Sequence, residues 1–150
     1  MTDDIEKASV KELMLAREGQ SVDWYLQTLV SITNTQGMEF GITLLVEGII
    51  VSGILIGGKK YFETFAEEFA DAYPGDAETK EMFRDAIASA AGIYERKENG
   101  EDVTPPQFIH LANARCFSPD GKLLPTNRGI LWRGKINAVS GFILGTLSTG

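Results

Sequence analysis

Apolar residues recur at two different spacings along the chain, and the change of spacing predicts the order of helices and strands. In the first forty residues they recur every three or four positions, which is typical of helices with one buried face. Ser21 is the expected N-cap of the main helix in this region, Asp23 lies in its first turn, and Gly37 ends it. Helical spacing returns from Tyr61, and Pro74-Gly75 divides this second region into two helices.

Between and after the helical regions, Val, Ile, Leu and Phe dominate short runs that are bounded by turn residues, as in β-strands. Residues 39–57 predict two strands joined at Glu47-Gly48, because glycine readily adopts the positive φ of a tight turn. Three more strands are predicted at residues 108–117, 129–136 and 139–147. Short connections between these strands indicate an antiparallel sheet, and the glycines within them favour strong curvature.

The order of these elements predicts a single α+β domain over residues 1–150. It consists of a curved antiparallel sheet of about five strands, an N-terminal helix and a two-helix insertion at residues 59–97. Asp76 is the expected N-cap of the second inserted helix. Residues 1–20 are expected to form a peripheral or mobile helix beside this domain.

The composition narrows the class of protein. The chain has 150 residues, of which 43% are hydrophobic, and this indicates a globular protein with one core. A single cysteine excludes a disulfide framework and a cysteine-based zinc site, and a cytoplasmic location suits it. The N-terminus lacks the basic and apolar regions of a signal peptide. The apolar stretch at residues 42–58 is short for a membrane span and carries Glu47, so no membrane insertion is expected.

Charge is distributed unevenly along the chain. The net charge is −7; residues 1–102 hold 20 acidic and 9 basic residues, whereas residues 103–150 hold one acidic residue, Asp120, and five basic ones. An acidic protein is repelled by nucleic acid, which is therefore not the expected partner. The opposite signs have two interpretations. An acidic helical layer can match a basic sheet within one chain, or copies can associate head to tail as a homo-oligomer.

The sequence matches known catalytic and ligand-binding motifs only weakly. His110 is the only histidine and Cys116 the only cysteine, and one extended strand would place them on the same face about 20 Å apart, too far for a hydrogen bond. We therefore expect His110 to be a strand residue with a satisfied ring. Residues 53–60 approach the pattern of a phosphate-binding loop, but Lys60 stands where Ser or Thr would bind magnesium. No catalytic, metal or cofactor residues are predicted, and an enzyme is not expected.

Gly129–Ile136 is the most distinctive segment of the last strands. Strand alternation places Trp132 on one face and both Arg133 and Lys135 on the other. One interpretation is a core tryptophan with two solvent-facing cations. The alternative is a surface that binds single-stranded nucleic acid through stacking and charge.

Three strings stand out in the second and third quarters and at the end of the chain. They are the glycine-punctuated hairpin followed by Lys60-Tyr61-Phe62, then Phe108-Ile109-His110-Leu111, and finally Trp132-Arg133-Gly134 with Gly141-Phe142. Through them, Gly37–Leu147 resembles the gas vesicle accessory protein U family (GvpU). The resemblance implies a cytoplasmic, non-catalytic protein that takes part in vesicle assembly or clustering without forming the shell. It implies no cofactor, and the partners it implies are gas vesicle proteins or further copies of the chain.

A weaker resemblance concerns the fold. The segments ITLLVEGIIVSGILIG and ILWRGKINAVSGFI are similar to the two halves of an Sm-like barrel, and an Sm-like or SH3-like barrel is one form that the curved sheet is expected to take. Sm-like proteins assemble as rings and often bind RNA, which implies an oligomeric RNA-binding module as the alternative function. The acidic insertion and the net charge of −7 depart from that pattern.

The resulting hypothesis is protein–protein association through two sets of side chains. One set is aromatic and lies on the first inserted helix, and the other lies on the basic last strands; they are Tyr61, Phe62, Phe65 and Phe69, and Arg128, Trp132, Arg133 and Lys135. Reversing the charges of Arg133 and Lys135 is expected to weaken association without unfolding the domain.

Overall fold

The computed structural model describes residues 2–95, 104–124 and 128–147. Within them, the α-helices are α1 (Thr2–Glu18), α2 (Trp24–Gln36), α3 (Gly58–Ala72) and α4 (Ala77–Ala88). The β-strands are β1 (Phe40–Val46), β2 (Ile49–Ile56), β3 (Phe108–Phe117), β4 (Leu123–Leu124), β5 (Ile130–Lys135) and β6 (Val139–Leu144). Short 3-10 helices at Ser89–Tyr94 and Ile136–Ala138 follow α4 and β5. The predicted end of the insertion at residue 97 lies outside the described residues.

The strands form one antiparallel sheet, which confirms the predicted α+β class. β2 lies between β1 and β3, β6 pairs with the other edge of β1, and the far edge of β3 pairs with both β4 and β5. In the part of the chain that the structure describes, no ladder joins β5 to β6, so the sheet is open and the Sm-like or SH3-like barrel is not formed. The two-residue strand β4 was not predicted by the spacing of apolar residues.

Turn and cap residues explain where most of the helices and strands discussed here begin and end. Glu47 and Gly48 both have positive φ, 51° and 85°, which confirms the predicted two-residue turn between β1 and β2. Gly37 ends α2 in the left-handed conformation, and the carboxylate of Asp76 accepts a hydrogen bond from Thr79 N–H at the start of α4, both as predicted. The predicted N-cap Ser21 is wrong. Asp23 caps α2 instead, because its carboxylate reaches two free backbone N–H groups of the first turn.

An extra residue in β3 changes which side chains share a face. Cys116 lies opposite Val51 and Leu111 opposite Leu55, so β3 has one more residue than β2 between these pairs. Asn113, in this interval, has a φ of 50°. Cys116 therefore packs against the aliphatic core, while His110 contacts the aromatic side chains of α3 on the opposite face. The prediction that these two residues share a face is wrong, because it assumed an uninterrupted strand.

The two faces of the sheet are covered by different helices. On one face, which we call the aliphatic face, Leu26 and Val30 of α2 pack on fully buried strand residues that include Ile42, Leu44 and Leu111. On the other face, which we call the aromatic face, α3 packs on β3. α4 packs on α3 and has no fully buried residue of its own.

α1 lies outside this packing. Every side chain described for α1 is exposed, including Leu13 and Leu15, and the indole N–H of Trp24 donates to Glu18 at its end. The peripheral or mobile character expected for residues 1–20, and the single domain expected for the chain, remain predictions. None of the helices described has both the length and the apolar character needed to cross a bilayer.

Candidate functional site

An aromatic cluster lies where α3 meets the sheet. The ring of His110 on β3 has its centroid 4.7 Å from that of Tyr61, 6.0 Å from Phe62 and 5.3 Å from Tyr94. We call these four residues the His110 cluster. Helical spacing puts Tyr61 and Phe62 in the first turn and a half of α3, directly after β2, so the short connection brings them over the sheet.

His110 has no contact with solvent and neither of its ring nitrogens has a hydrogen-bond partner among the described residues. Burial, and secondly the positive charge of Arg133, lower the pKa of His110 to about 4. The imidazole is therefore neutral at pH 7. The expectation that its ring is satisfied is wrong, because the described neighbours contact the imidazole through their rings and none of them hydrogen-bonds to its nitrogens.

Arg133 belongs to the same region. It lies opposite His110 in the pairing of β3 with β5, and its guanidinium carbon is 3.6 Å from the ring centroid of Phe108 and 5.5 Å from that of Phe62. The guanidinium thus lies between a strand ring and a helix ring. Arg133 is half-buried, so the prediction of two solvent-facing cations holds for Lys135 but is wrong for Arg133.

The pKa of Tyr61 is also shifted by its surroundings. Its side chain is buried, and this burial raises the pKa of its hydroxyl, with the charge of Glu68 adding to the effect and that of Arg133 opposing it. The phenol is accordingly protonated at neutral pH. In the His110 cluster, the charge at pH 7 comes from the neighbouring Arg133 and not from Tyr61 or His110.

Trp132 lies on the aliphatic face. It pairs with Leu111 and packs against the buried core from a half-buried position, which confirms the interpretation of a core tryptophan. A Cβ atom on residue 134 would collide with the indole of Trp132, so the glycine at that position permits this packing. Arg128 and Lys135, the other basic candidates, are exposed.

The aromatic residues of α3 mainly link this helix to the sheet on one side and to α4 on the other. The ring of Phe65 lies 5.8 Å from Tyr61 and 6.3 Å from Phe69, and Phe69 contacts Phe83 of α4 at 5.8 Å. Phe62 and Phe65 are half-buried, whereas Phe69 is 43% exposed. Of the four aromatic contact candidates, Phe69 therefore has the largest surface available to a partner. Whether any of them binds one remains a prediction.

Acidic side chains cover the outer surface of α3. Glu63, Glu67, Glu68 and Asp71 are all exposed, and the Nε of Arg84 on α4 lies 3.1 Å from a carboxylate oxygen of Glu67. Within residues 2–95, 104–124 and 128–147, no three His, Cys, Asp or Glu side chains are grouped so that they could hold a metal ion. The site is thus an aromatic and cationic cluster beneath an acidic helical surface.

Sequence reasoning did not identify the roles of Phe108 and Tyr94. Phe108 stands two residues before His110, so strand alternation could have placed both on one face. Tyr94 gave no such signal, because its contact with His110 depends on the path of the chain after α4. The structure nevertheless brings Tyr61-Phe62, Phe108 with His110, and Arg133 together, and these come from the three strings that carry the family resemblance.

Comparison with known proteins agrees with that resemblance. No curated protein and no solved structure gives a significant match to the chain. The model of a family described as gas vesicle protein GvpU-like matches residues 23–147. The match begins at the N-cap of α2, ends just beyond β6 and leaves out α1. Since it spans most of the sequence, the chain belongs to the gas vesicle protein GvpU-like family.

Proposed function

We propose that the chain is a non-catalytic gas vesicle accessory protein, which acts through protein–protein association in vesicle assembly or clustering. The observation that carries this proposal is the family match over residues 23–147, which includes every described strand and the helices α2, α3 and α4. The family places the protein in the context of gas vesicles, which are cytoplasmic. Beyond this context, we propose that the protein associates with vesicle proteins.

The distribution of exposed charge supports a docking role. Acidic residues line the outer surface of α3, while the exposed basic residues Arg128 and Lys135 belong to the end of the chain that carries net positive charge. Surfaces of opposite sign steer partners and fix their orientation. We assign the contact to Arg128 and Lys135 and leave Arg133 out of it, because its guanidinium is already stacked between two rings.

The state of His110 supports the non-catalytic part of the proposal. A general base must reach the proton that it removes and should have a pKa near the working pH. The ring of His110 is enclosed by aromatic side chains, and its pKa is about 4. A neutral, enclosed imidazole of this kind fits a packing role between helix and sheet.

Flotation of the purified protein with intact gas vesicles tests the proposal. We expect the protein to float with the vesicles at low salt and to be released as the ionic strength rises from about 0.05 to about 0.5 M, because exposed charges are screened over this range. The double reversal Arg128→Glu with Lys135→Glu is expected to reduce the bound fraction several-fold at low salt.

A matched control separates a local effect from total charge. The double reversal Lys7→Glu with Lys11→Glu changes the net charge equally, but it lies on α1, outside the family match. It is expected to leave flotation unchanged. Absence of the protein from the floating layer at every salt concentration would overturn the proposal. If the same protein shifted labelled RNA at low salt, the alternative RNA-binding function would take its place.

A further inference from the structure

The two outer edges of the sheet differ in chemistry. The edge formed by β5 carries Arg133 and the exposed Lys135, and charged residues of this kind protect an edge strand against unwanted pairing. β6, at the other edge, carries no charged residue and no proline, and the sequence contains none from Ile136 to Leu147. In the described part of the chain, β6 pairs only with β1. We call its free side the β6 edge.

Apolar side chains are exposed along the β6 edge on both faces of the sheet. Leu144 is 79% exposed and lies opposite Ile42, on the aliphatic face. Ile143 is 57% exposed and lies opposite Thr43, on the other face, where Leu45 of β1 is also exposed. A strand edge with free backbone groups and exposed apolar side chains on both faces is suited to accept another strand.

The backbone pattern defines how a second strand would pair. The N–H of Gly145 donates to the carbonyl oxygen of Gly41 at 2.8 Å, so Gly145 faces β1. Because neighbouring residues alternate in direction, the N–H and C=O groups of Phe142 and Leu144 point to the free side. An antiparallel copy of β6, related by a two-fold axis at Ile143, would place Phe142 opposite Leu144 and satisfy all these groups.

We infer that β6 pairs with β6 of a second copy of this chain, which makes a two-fold dimer with one continuous sheet. Ile143 then meets Ile143 of the second copy in a position without direct backbone hydrogen bonds, where side chains come closest. Leu144 meets Phe142 on the aliphatic face, where Phe142 already stacks on Tyr25 at 6.5 Å.

Charge favours this edge over the rest of the surface. A net charge of −7 makes two copies repel one another, and repulsion is weakest where neither surface carries charge. A two-fold pairing of β5 would instead bring the cations Arg133 and Lys135 near their own copies, and like charges across strands are destabilising. A second copy is thus the occupant that the neutral, self-complementary β6 edge accepts. This inference goes beyond the proposed function and does not depend on vesicle binding.

Light scattering and sedimentation of the full chain test the dimer in the absence of vesicles. We expect a species of twice the 16.4 kDa chain mass that dissociates on dilution. Ile143→Lys is expected to weaken dimerisation about tenfold or more, because two lysines would face one another at the axis. The matched control is Leu124→Lys, an apolar residue of similar exposure, 55%, on the short strand β4. It is expected to leave the dimer intact.

A mixture of variants tests the position of the axis. Ile143→Lys and Ile143→Glu should each dimerise more weakly than the wild type when alone, but the two together should form a heterodimer that is tighter than either homodimer, since the axis places opposite charges face to face. Circular dichroism of each variant confirms that it is folded. A wild-type monomer at all concentrations, a dimer that survives Ile143→Lys, or a ring-sized assembly would each overturn the inference. Loss of vesicle flotation with an intact dimer would count against the proposed function only.

Discussion

The two faces of the sheet are built from different kinds of side chain, and burying these side chains has different effects on the free energy of folding. The aliphatic face is covered by α2 and consists mainly of fully buried aliphatic side chains such as Leu44 and Leu111, although α2 also buries the hydroxyl of Thr33 without a hydrogen-bond partner in the described structure. The aromatic face, where α3 covers it, buries His110 without a hydrogen-bond partner in the described structure and places Arg133 beside it.

The two faces therefore contribute differently to the stability of the fold. Burial of aliphatic side chains provides most of the free energy that holds a domain of this size together. Burial of an unsatisfied imidazole opposes folding, so the aromatic face is stable only because ring contacts compensate for it. The aliphatic face therefore stabilises the sheet, and the aromatic face determines how α3 and α4 are held on it.

The largest effect is expected from the aliphatic face. Leu44→Ala removes a side chain with no solvent exposure from the middle of the core and leaves a cavity that its neighbours fill only in part. We expect the free energy of unfolding to fall by about 3–5 kcal/mol. Urea denaturation followed by circular dichroism measures this loss. Leu13→Ala on the exposed helix α1 is the control, and a similar loss in both variants would contradict the assignment of the core.

The second effect is a pH dependence that belongs to the aromatic face. The pKa of His110 is lowered to about 4 in the folded protein, from an ordinary value near 6.5 in the unfolded chain. The unfolded chain therefore binds the proton first, and stability falls as the pH drops from about 6.5 to about 4. We expect a loss of about 2–3 kcal/mol in the free energy of unfolding between pH 7 and pH 4.5.

Replacement of the imidazole isolates this effect. His110→Leu has no titratable group, so the loss between pH 7 and pH 4.5 should largely disappear in that variant. Asp76 and Asp120 have a lowered pKa because they accept hydrogen bonds, and their contributions are lost only at lower pH, below about 4. Parallel urea curves at both pH values provide the measurement. An equal loss in the wild type and the variant would show that His110 is not the group responsible.

Much of this architecture follows from local sequence. The turn at Glu47-Gly48, the end of α2 at Gly37 and the cap at Asp76 depend on one residue and its immediate neighbours, and all three were predicted. β3 was also predicted with its observed bounds, Phe108–Phe117, because apolar residues fill most of that run. Local preference and tertiary structure agree at these positions.

The parts that sequence reasoning missed depend on contacts between distant segments. The extra residue of β3 near Asn113 separates the faces of His110 and Cys116, and strand alternation alone cannot show it. Arg133 appears solvent-facing by alternation, yet Phe62, 71 positions earlier, supplies a ring on which it packs. The buried state of His110 likewise needs α3 and Tyr94 in place.

The smallest effect is expected from replacing Arg133 on the aromatic face. This replacement tests how strongly the charge of Arg133 affects the pKa of His110. Arg133→Met keeps a long side chain on Phe108 but removes the guanidinium that lies 3.6 Å from its ring centroid. We expect a loss of about 0.5–2 kcal/mol in the free energy of unfolding, the usual contribution of a cation–π contact. Because the charge of Arg133 is one cause of the lowered pKa of His110, that pKa should rise in the variant.

Proton NMR of the single imidazole measures this pKa directly, and Lys135→Met provides the control. Lys135 carries the same charge on the same strand but is exposed, so its removal should leave both the stability and the titration of His110 close to those of the wild type. A rise in the pKa of equal size in both variants would mean that His110 senses the total charge of the protein. A rise in Arg133→Met alone would mean that the stacked guanidinium adds to burial in lowering the pKa of the imidazole, which makes the aromatic face a coupled unit in a way that the aliphatic face is not.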